Sequence, residues 1–377
     1  WYKIYARYEP LVVRLGSRAE LSDLLWEIQG ELGTSHAYVF GGDVPRTPKY
    51  VVGKLGADFV YDQKARGYKI LKIYEGDIWQ PGWGSPLCHP GVDLKPGDVL
   101  LSINGQELTA ERIPSEALLY QADVDVRIDV LRKGKSKPEV VIVKTLRTEL
   151  PTRYRSWVEK KRAYIHEKTN GRVGYVHIPD MGMWGYCEFH RSYLAECDKD
   201  ALIVDVRFNG GGMVSSLLLE KLNRKRLGYD VSRWAGQMPY PADSPVGPMV
   251  ALTNEYAGSD GDIFSHAFKL MKLGPLIGKR TWGGVIGINP THTLVDRGMT
   301  TQPEYSFWFK DVGWTIENHG VDPDIEVEIT PQDYQNERDP QLDRAIKEVM
   351  KQMKSKPKLA VDLSSRPDLG RWLKKKR

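Results

Sequence analysis

Three compact apolar runs, Val173 to Ile178, Leu202 to Val206 and Met249 to Thr253, constrain the fold more than anything else in this sequence. Each has strand length and reads as a strand buried on both faces, not as a half-buried strand with strict alternation. Helical patterns lie between them, because Val214 to Asn223 and Asp262 to Met271 carry apolar residues at three- and four-residue spacing. Strands alternating with helices predict a partly parallel, mixed sheet with crossover helices, so residues 150–377 are expected to be an α/β domain within an α+β chain. A last helix is expected near Leu342 to Met353, with Leu342, Ile346, Val349 and Met353 on one stripe. The charged segment Tyr154 to Asn170 reads as a surface helix and linker.

The beginning of the chain has a different texture. Ser17 and Glu20 sit three apart, just before Leu21, Leu24, Leu25 and Ile28, which predicts a capping box and a helix to about Leu32. Gly33 ends it, and Thr34-Ser35-His36 emerges in the loop beyond, where functional side chains are often presented. Gly41-Gly42-Asp43-Val44-Pro45 then marks a boundary, so residues 1–43 form a small N-terminal helical piece and residues 44–149 a separate domain. From Leu55 to Thr148 the text is β-rich, with strands expected at Lys69 to Tyr74, Asp98 to Ile103, Asp125 to Leu131 and Glu139 to Val143. The stretch Gly91 to Gly105 carries Pro96-Gly97-Asp98 before a strand and Asn104-Gly105 after it, two residues that tolerate the positive φ of a tight hairpin. It resembles the PDZ signature. The resemblance implies an inserted PDZ-like domain that binds an extended peptide by sheet addition, or one that serves only as a spacer. Gly67-Tyr68-Lys69-Ile70 is the nearest counterpart of a carboxylate-binding loop.

Composition narrows the function classes. A chain of 377 residues exceeds one core's usual size and favours two or three domains. The formal charge is +5, and Lys374, Lys375, Lys376 and Arg377 account for all but +1, so no nucleic-acid footprint is expected. No apolar run approaches the roughly 18 residues of a membrane span. Three cysteines, Cys88, Cys187 and Cys197, cannot all pair and match no metal-ligand spacing, so reduced thiols and a cytoplasmic location are expected. Trp1 opens the chain without a charged-then-apolar leader, so no secretory signal is visible and a longer parent chain is a natural reading.

The chemistry concentrates in Val250 to Ile263, which reads strand, then Asn254-Glu255-Tyr256-Ala257-Gly258-Ser259-Asp260-Gly261-Asp262, then helix. A serine at a strand-to-helix turn stands where free N–H groups and the helix dipole favour developing negative charge, which suits a nucleophile. A plain helix N-cap is the competing role. The strand Leu202 to Phe208 ends in Asn209-Gly210-Gly211-Gly212, whose amides can complete an oxyanion hole with that of Asp260. A phosphate loop is disfavoured, since the lysine and hydroxyl residue of a P-loop are absent after these glycines. Eight histidines are candidate bases: His36, His89, His166, His177, His190, His266, His292 and His319. Spacing alone does not choose among them. His266 lies two helical turns beyond Ser259, too far at about 1.5 Å per residue for a hydrogen bond; His177 sits in a strand-like run; His36 sits in a loop beside Ser35.

Taken together, Gly33-Thr34-Ser35-His36, Phe208 to Gly212, Asn254 to Phe264 and Thr281-Trp282-Gly283-Gly284-Val285 closely resemble the catalytic part of the tricorn proteases, of the C-terminal-processing-peptidase-like serine peptidase clan. The likeness covers essentially the whole chain, in the family's order of an N-terminal helical piece, a PDZ insertion and an α/β peptidase domain. It implies Ser259 as nucleophile, His36 as general base and acid, and Glu317 as part of the relay, with Ser35 linking Glu317 to His36. It implies oxyanion donors at the amides of Gly212 and Asp260. Asp230, after Gly228-Tyr229, matches the acid that favours basic side chains in the S1 pocket and that a neighbouring subunit contributes in the family. Processing peptidases of the same clan use a Ser-Lys dyad, but here Gly284 occupies the lysine position and only Lys279 is nearby. Tricorn proteins carry two β-propellers before this region, and this chain contains no repeat of that kind. The expected protein is a cytoplasmic serine peptidase that cleaves short oligopeptides released by larger proteases, with no metal or cofactor. Its partners would be like subunits, in a hexamer by resemblance, and downstream aminopeptidases. A peptide-binding PDZ scaffold with an inactive site and a Ser-Lys processing peptidase are the alternatives.

Overall fold

The apolar runs are strands of one sheet. In the computed structural model, Ile325–Glu326, Leu276–Gly278, Met249–Thr253, Ala201–Asp205 and Val173–His177 lie side by side in that order, each parallel to its neighbour. The structure describes residues 1–45, 47–234, 236–291, 293–355 and 359–366; His292 and the basic run 374–377 lie outside them. Within this sheet every pairing is parallel. Two small antiparallel ribbons lie apart from it, Val39–Phe40 with Met299–Thr300 and Gly228–Val231 with Gln237–Tyr240.

Both faces of the sheet are covered, and the burial pattern says by what. Val176, Val204 and Ala251 join a core cluster with Phe189, Leu218, Phe264 and Phe268, which come from the helices Met183–Glu196, Ser215–Leu222 and Asp260–Leu270. Alternate residues point to opposite faces. The intervening Tyr175, Ile203, Val250 and Leu252 are fully buried as well. Ile203, Val250 and Leu252 lie on strands packed by the helix Pro340–Ser355, which buries Leu342, Ala345, Val349 and Met353. Its stripe takes Ala345 in place of the expected Ile346, which stays half-buried.

The chain divides into two units, Pro45–Ala163 and the remainder. The division falls inside the helix Leu150–Thr169, because that helix continues without a break from the β-rich unit into the α/β unit. The Pro45–Ala163 unit contains the antiparallel strands Ala57–Asp62, Gly67–Ile73, Val99–Ile103, Asp125–Leu131 and Glu139–Lys144 in spatial sequence, with Gln106–Glu107 pairing off Val99–Ile103. Leu55, Ile70, Leu100, Ile103, Val126, Ile128 and Val130 form its core. Asn104 and Gly105 adopt φ of 49° and 77°, the hairpin geometry their identities predict. The buried Asp98 carboxylate accepts from Lys95 N at 2.9 Å and Lys133 N at 2.8 Å, which explains the Pro-Gly-Asp turn. Gly67-Tyr68-Lys69-Ile70 is not a carboxylate loop: it opens a strand, and its Tyr68 and Lys69 are paired on both sides.

In the α/β unit, Arg18–Gly30 is a helix capped by Ser17, whose hydroxyl accepts from Glu20 N at 3.2 Å. The reciprocal half of the expected capping box does not form, because Glu20 reaches one residue further back, to Gly16 N at 2.6 Å. The sequence pattern does not predict the helices Tyr2–Val12, Met183–Glu196 and Pro331–Gln335. All three cysteines are free thiols. Among the described residues no helix is long and apolar enough to cross a membrane.

Candidate active site

Three loops leave adjacent parallel strands at their carboxyl ends, where open α/β sheets bind ligands. They are Val206 to Gly212 after Ala201–Asp205, Asn254 to Ser259 after Met249–Thr253, and Lys279 to Gly284 after Leu276–Gly278. Ser259 stands between its strand and the helix Asp260–Leu270 with φ 57° and ψ −120°. That backbone is costly for a residue with a Cβ and persists only when the surroundings impose it. The simple N-cap role fails, since the Ser259 side chain makes no capping hydrogen bond. Its turn is held by others: Gly258 N donates to Asn209 O at 3.0 Å, and Phe208 N donates to the buried Asn254 Oδ1 at 2.9 Å.

The glycine loop lies directly against this serine. A Cβ on Gly211 would stand 2.5 Å from Ser259 Cβ and 2.9 Å from Gly258 O, and its φ of 80° already favours glycine, so no other residue fits. Among the described residues Gly212 N and Asp260 N donate to no other group. Asp260 N is one of the four orphan donors of its helix. The Asp260 carboxylate accepts from Ser215 N at 2.9 Å and from Ser215 Oγ. The fully buried Asp262 accepts from Gly283 N at 2.8 Å, tying the third loop to the same helix. Burial pushes both carboxyls above their ordinary range, against the hydrogen bonds that favour ionisation.

His36 reaches this region from the other end of the chain. Val39–Phe40 pairs with Met299–Thr300, Thr301 Oγ1 donates to His36 O at 2.6 Å, and Asn318 Nδ2 donates to Gly33 O at 2.7 Å. Its Nδ1 lies 2.8 Å from Ser35 Oγ, which lies 3.1 Å from Glu317 Oε2. Glu317 also accepts from Ser35 N at 2.5 Å, Val285 N at 2.7 Å and Ile286 N at 3.0 Å, so it is anchored as an acceptor. An ionised carboxylate only accepts, so the single Ser35 proton goes to Glu317 and Ser35 Oγ accepts Nδ1–H of His36. That assigns the tautomer and leaves the Nε2 lone pair free. Burial holds the imidazole below its ordinary value, with Glu317 pulling the other way, so it rests neutral near pH 7.

Trp282 joins the two halves. Its ring meets that of His36 edge-on at 5.3 Å between centroids, and a Cβ on Gly258, the residue before Ser259, would come within 2.8 Å of the same indole. Among the described residues neither Ser259 Oγ nor His36 Nε2 has a hydrogen-bond partner; catalytic hydrogen bonds often form only with substrate bound.

The remaining described histidines are engaged elsewhere or carry no site contact. His177 Nε2 meets Arg207 O at 3.0 Å, His266 pairs with Asp311 at 3.1 Å, His319 with Asp322 at 2.9 Å, His166 with Glu196 at 2.9 Å, and His190 Nδ1 meets Tyr186 O at 2.9 Å. His89 is exposed in the β-rich unit, and His292 lies outside the described residues. Lys279 is bound by Glu326 and Glu328, each at 2.7 Å, which raises its pKa and keeps it charged, the opposite of what a dyad base requires. Asp230 is not brought to the other residues: it is exposed on its hairpin, opposite Met238. Among the described residues no cluster of His, Cys, Asp and Glu is suited to a metal ion. Spacing did not single out Asn209, Asn254 and Trp282, since their partners are mostly backbone groups or rings distant in sequence.

Family models match three segments: the tricorn protease C1 domain over residues 1–30, the tricorn protease PDZ domain over 53–148, and peptidase family S41 over 172–327. A tricorn protease homolog of Saccharolobus solfataricus is 49% identical over 353 residues, covering 94% of this chain and 33% of that protein. The tricorn protease of Thermoplasma acidophilum is 45% identical over 353 residues, again 94% of this chain and 33% of the relative. A solved structure of the tricorn protease superposes with a TM-score of 0.90 at 44% identity, over 94% of this chain and 34% of that one. The chain therefore spans about a third of the length of these relatives.

Proposed function

The chain belongs to the tricorn protease family, as its C-terminal part with a PDZ insertion and an S41 serine peptidase domain, and on that premise we propose that it hydrolyses short oligopeptides released by larger proteases through an acyl-enzyme on Ser259. The observation that carries this reading is the relay itself, Glu317 to Ser35 to His36 Nδ1, which directs the Nδ1 proton inward and leaves the His36 Nε2 lone pair free to serve as a base. In the proposed reaction Nε2 takes the Ser259 Oγ proton as the oxygen attacks the scissile carbonyl. The amides of Gly212 and Asp260 receive the charge that develops on the carbonyl oxygen. The imidazolium is stabilised through Ser35 by Glu317, then gives its proton to the leaving amine. A water repeats the cycle in reverse roles and frees the acid.

Asp230 is assigned to basic side chains at P1. Being exposed on its hairpin, it suits the role if a second copy of the chain presents it, so a homo-oligomer, a hexamer by family likeness, belongs to this reading. Cytoplasmic peptide turnover and aminopeptidases acting on the products complete it.

Steady-state hydrolysis of fluorogenic peptides with Arg, Lys or Leu at P1 tests the proposal. Turnover by the native chain that Ser259→Ala abolishes is the expected result. Peptide binding without cleavage by the native chain would replace it with the scaffold reading.

A further inference from the structure

Oxyanion stabilisation depends on two donors held at a fixed separation, within about 0.5 Å, yet Gly212 and Asp260 belong to different elements. Gly212 ends a loop between the strand Ala201–Asp205 and the helix Ser215–Leu222; Asp260 opens the helix that follows Ser259. Three glycines give that loop more backbone freedom than any other part of the site. Something must hold it.

The loop is tied to the nucleophile turn at both ends. At its start, the fully buried Asn209 accepts from Gly258 N at 3.0 Å through its backbone oxygen, accepts from Gly211 N at 2.9 Å through Oδ1, and donates Nδ2 to Ile178 O at 2.8 Å. At its end, three residues after Gly212, Ser215 donates both its amide, at 2.9 Å, and its hydroxyl to the Asp260 carboxylate. The helix beginning at Ser215 has Val214 at its N-cap, a residue with no capping group. An acid from the other oxyanion element takes over that duty. Asp260 is only 5% exposed, an expensive location for a helix cap that a local Ser or Asp could supply from the surface.

We infer that the Asp260 carboxylate, with Ser215 as its partner and Asn209 at the opposite end of the loop, sets the separation of the two oxyanion amides. Asp260 then acts twice, through its backbone as a donor and through its side chain as a positioning group. The inference rests on the peptidase reading given above.

The test compares the native chain with Ser215→Ala, Ser215→Thr, Asp260→Asn and Ser259→Ala, measuring kcat and KM on a fluorogenic peptide and the inhibition constant of the matching peptide aldehyde, whose adduct carries an oxyanion. Ser215→Ala is expected to lower kcat about tenfold with KM within twofold, and to weaken the aldehyde in parallel. Ser215→Thr keeps the hydroxyl and should restore both. Asp260→Asn should exceed the Ser215→Ala loss; if it does not fold, Ser215→Ala decides, because alanine is well accepted in a first helical turn. An active native chain whose Ser215→Ala form matches it in kcat and aldehyde affinity overturns the inference alone. An inert native chain overturns the peptidase reading, and this inference falls with it.

Discussion

Deleting one oxygen, in Ser35→Ala, probes the relay more cleanly than removing either charged end. Ser35 Oγ is the atom between the carboxylate and the imidazole, 2.8 Å from Nδ1 and 3.1 Å from Glu317 Oε2. Its loss leaves Glu317 bound by Ser35 N, Val285 N and Ile286 N, and leaves His36 bound through its backbone oxygen by Thr301. The perturbation is therefore local, and the melting temperature should hardly move. What disappears is the acceptor for Nδ1–H as the imidazole becomes charged. A hydrogen bond to a charged group contributes about 1.5–3 kcal/mol, and each 1.36 kcal/mol is tenfold in rate, so kcat should fall about 10- to 150-fold. KM should change little, because the bond strengthens only in the transition state. Steady-state kinetics on a fluorogenic peptide, with thermal denaturation as a control for folding, measures this. A kcat within twofold of the native value would refute the tautomer argument.

The pH profile gives a second handle: kcat/KM should rise with pH through a midpoint below that of an ordinary histidine, since burial favours the neutral imidazole. Glu317 is the influence that raises His36, so Glu317→Gln should move that midpoint further towards acid as well as lower the rate; a shift towards alkali would contradict the arrangement. Asp230→Ala should reduce kcat/KM for Arg and Lys at P1 by tenfold or more while sparing Leu, and an unchanged preference would remove Asp230 from the specificity pocket. Arg207, bonded to Asp205 at 2.6 Å and Asp339 at 2.9 Å with all but about 2% of its side chain buried, should not tolerate Arg207→Leu. Taking the shared guanidinium away from these two carboxylates is expected to cost about 3–5 kcal/mol in chemical denaturation, and a loss below 1 kcal/mol would show that the ion pair is not structurally important.

Much of the fold was legible because burial and period agree. Asp125–Leu131 and Met249–Thr253 match their predicted limits, the first by alternation and the second as a run buried on both faces. The helix Met183–Glu196 was not legible: its buried Phe189 and Tyr193 are four apart, but Gly185 and the buried polar Glu188, Ser192 and Glu196 blur the stripe. At the site, the glycine loop and the strand-to-helix serine carried their own local chemistry. The bridge through Ser35 did not, because Glu317 lies 282 residues away and only tertiary structure brings it near. Resemblance supplied that link where spacing left eight histidines open. Asn209 escaped for a different reason: one of its tasks is done by a backbone carbonyl, which every residue possesses, so no side-chain pattern advertises it.

The identity of the base and nucleophile is tested most directly by mapping covalent labelling with a fluorophosphonate by mass spectrometry across the native chain, Ser259→Ala, His36→Ala and Lys279→Ala. The account predicts a single adduct on Ser259, absent from Ser259→Ala, formed far more slowly in His36→Ala, and unaffected in Lys279→Ala. An adduct elsewhere, or labelling that depends on Lys279 and not on His36, would contradict it.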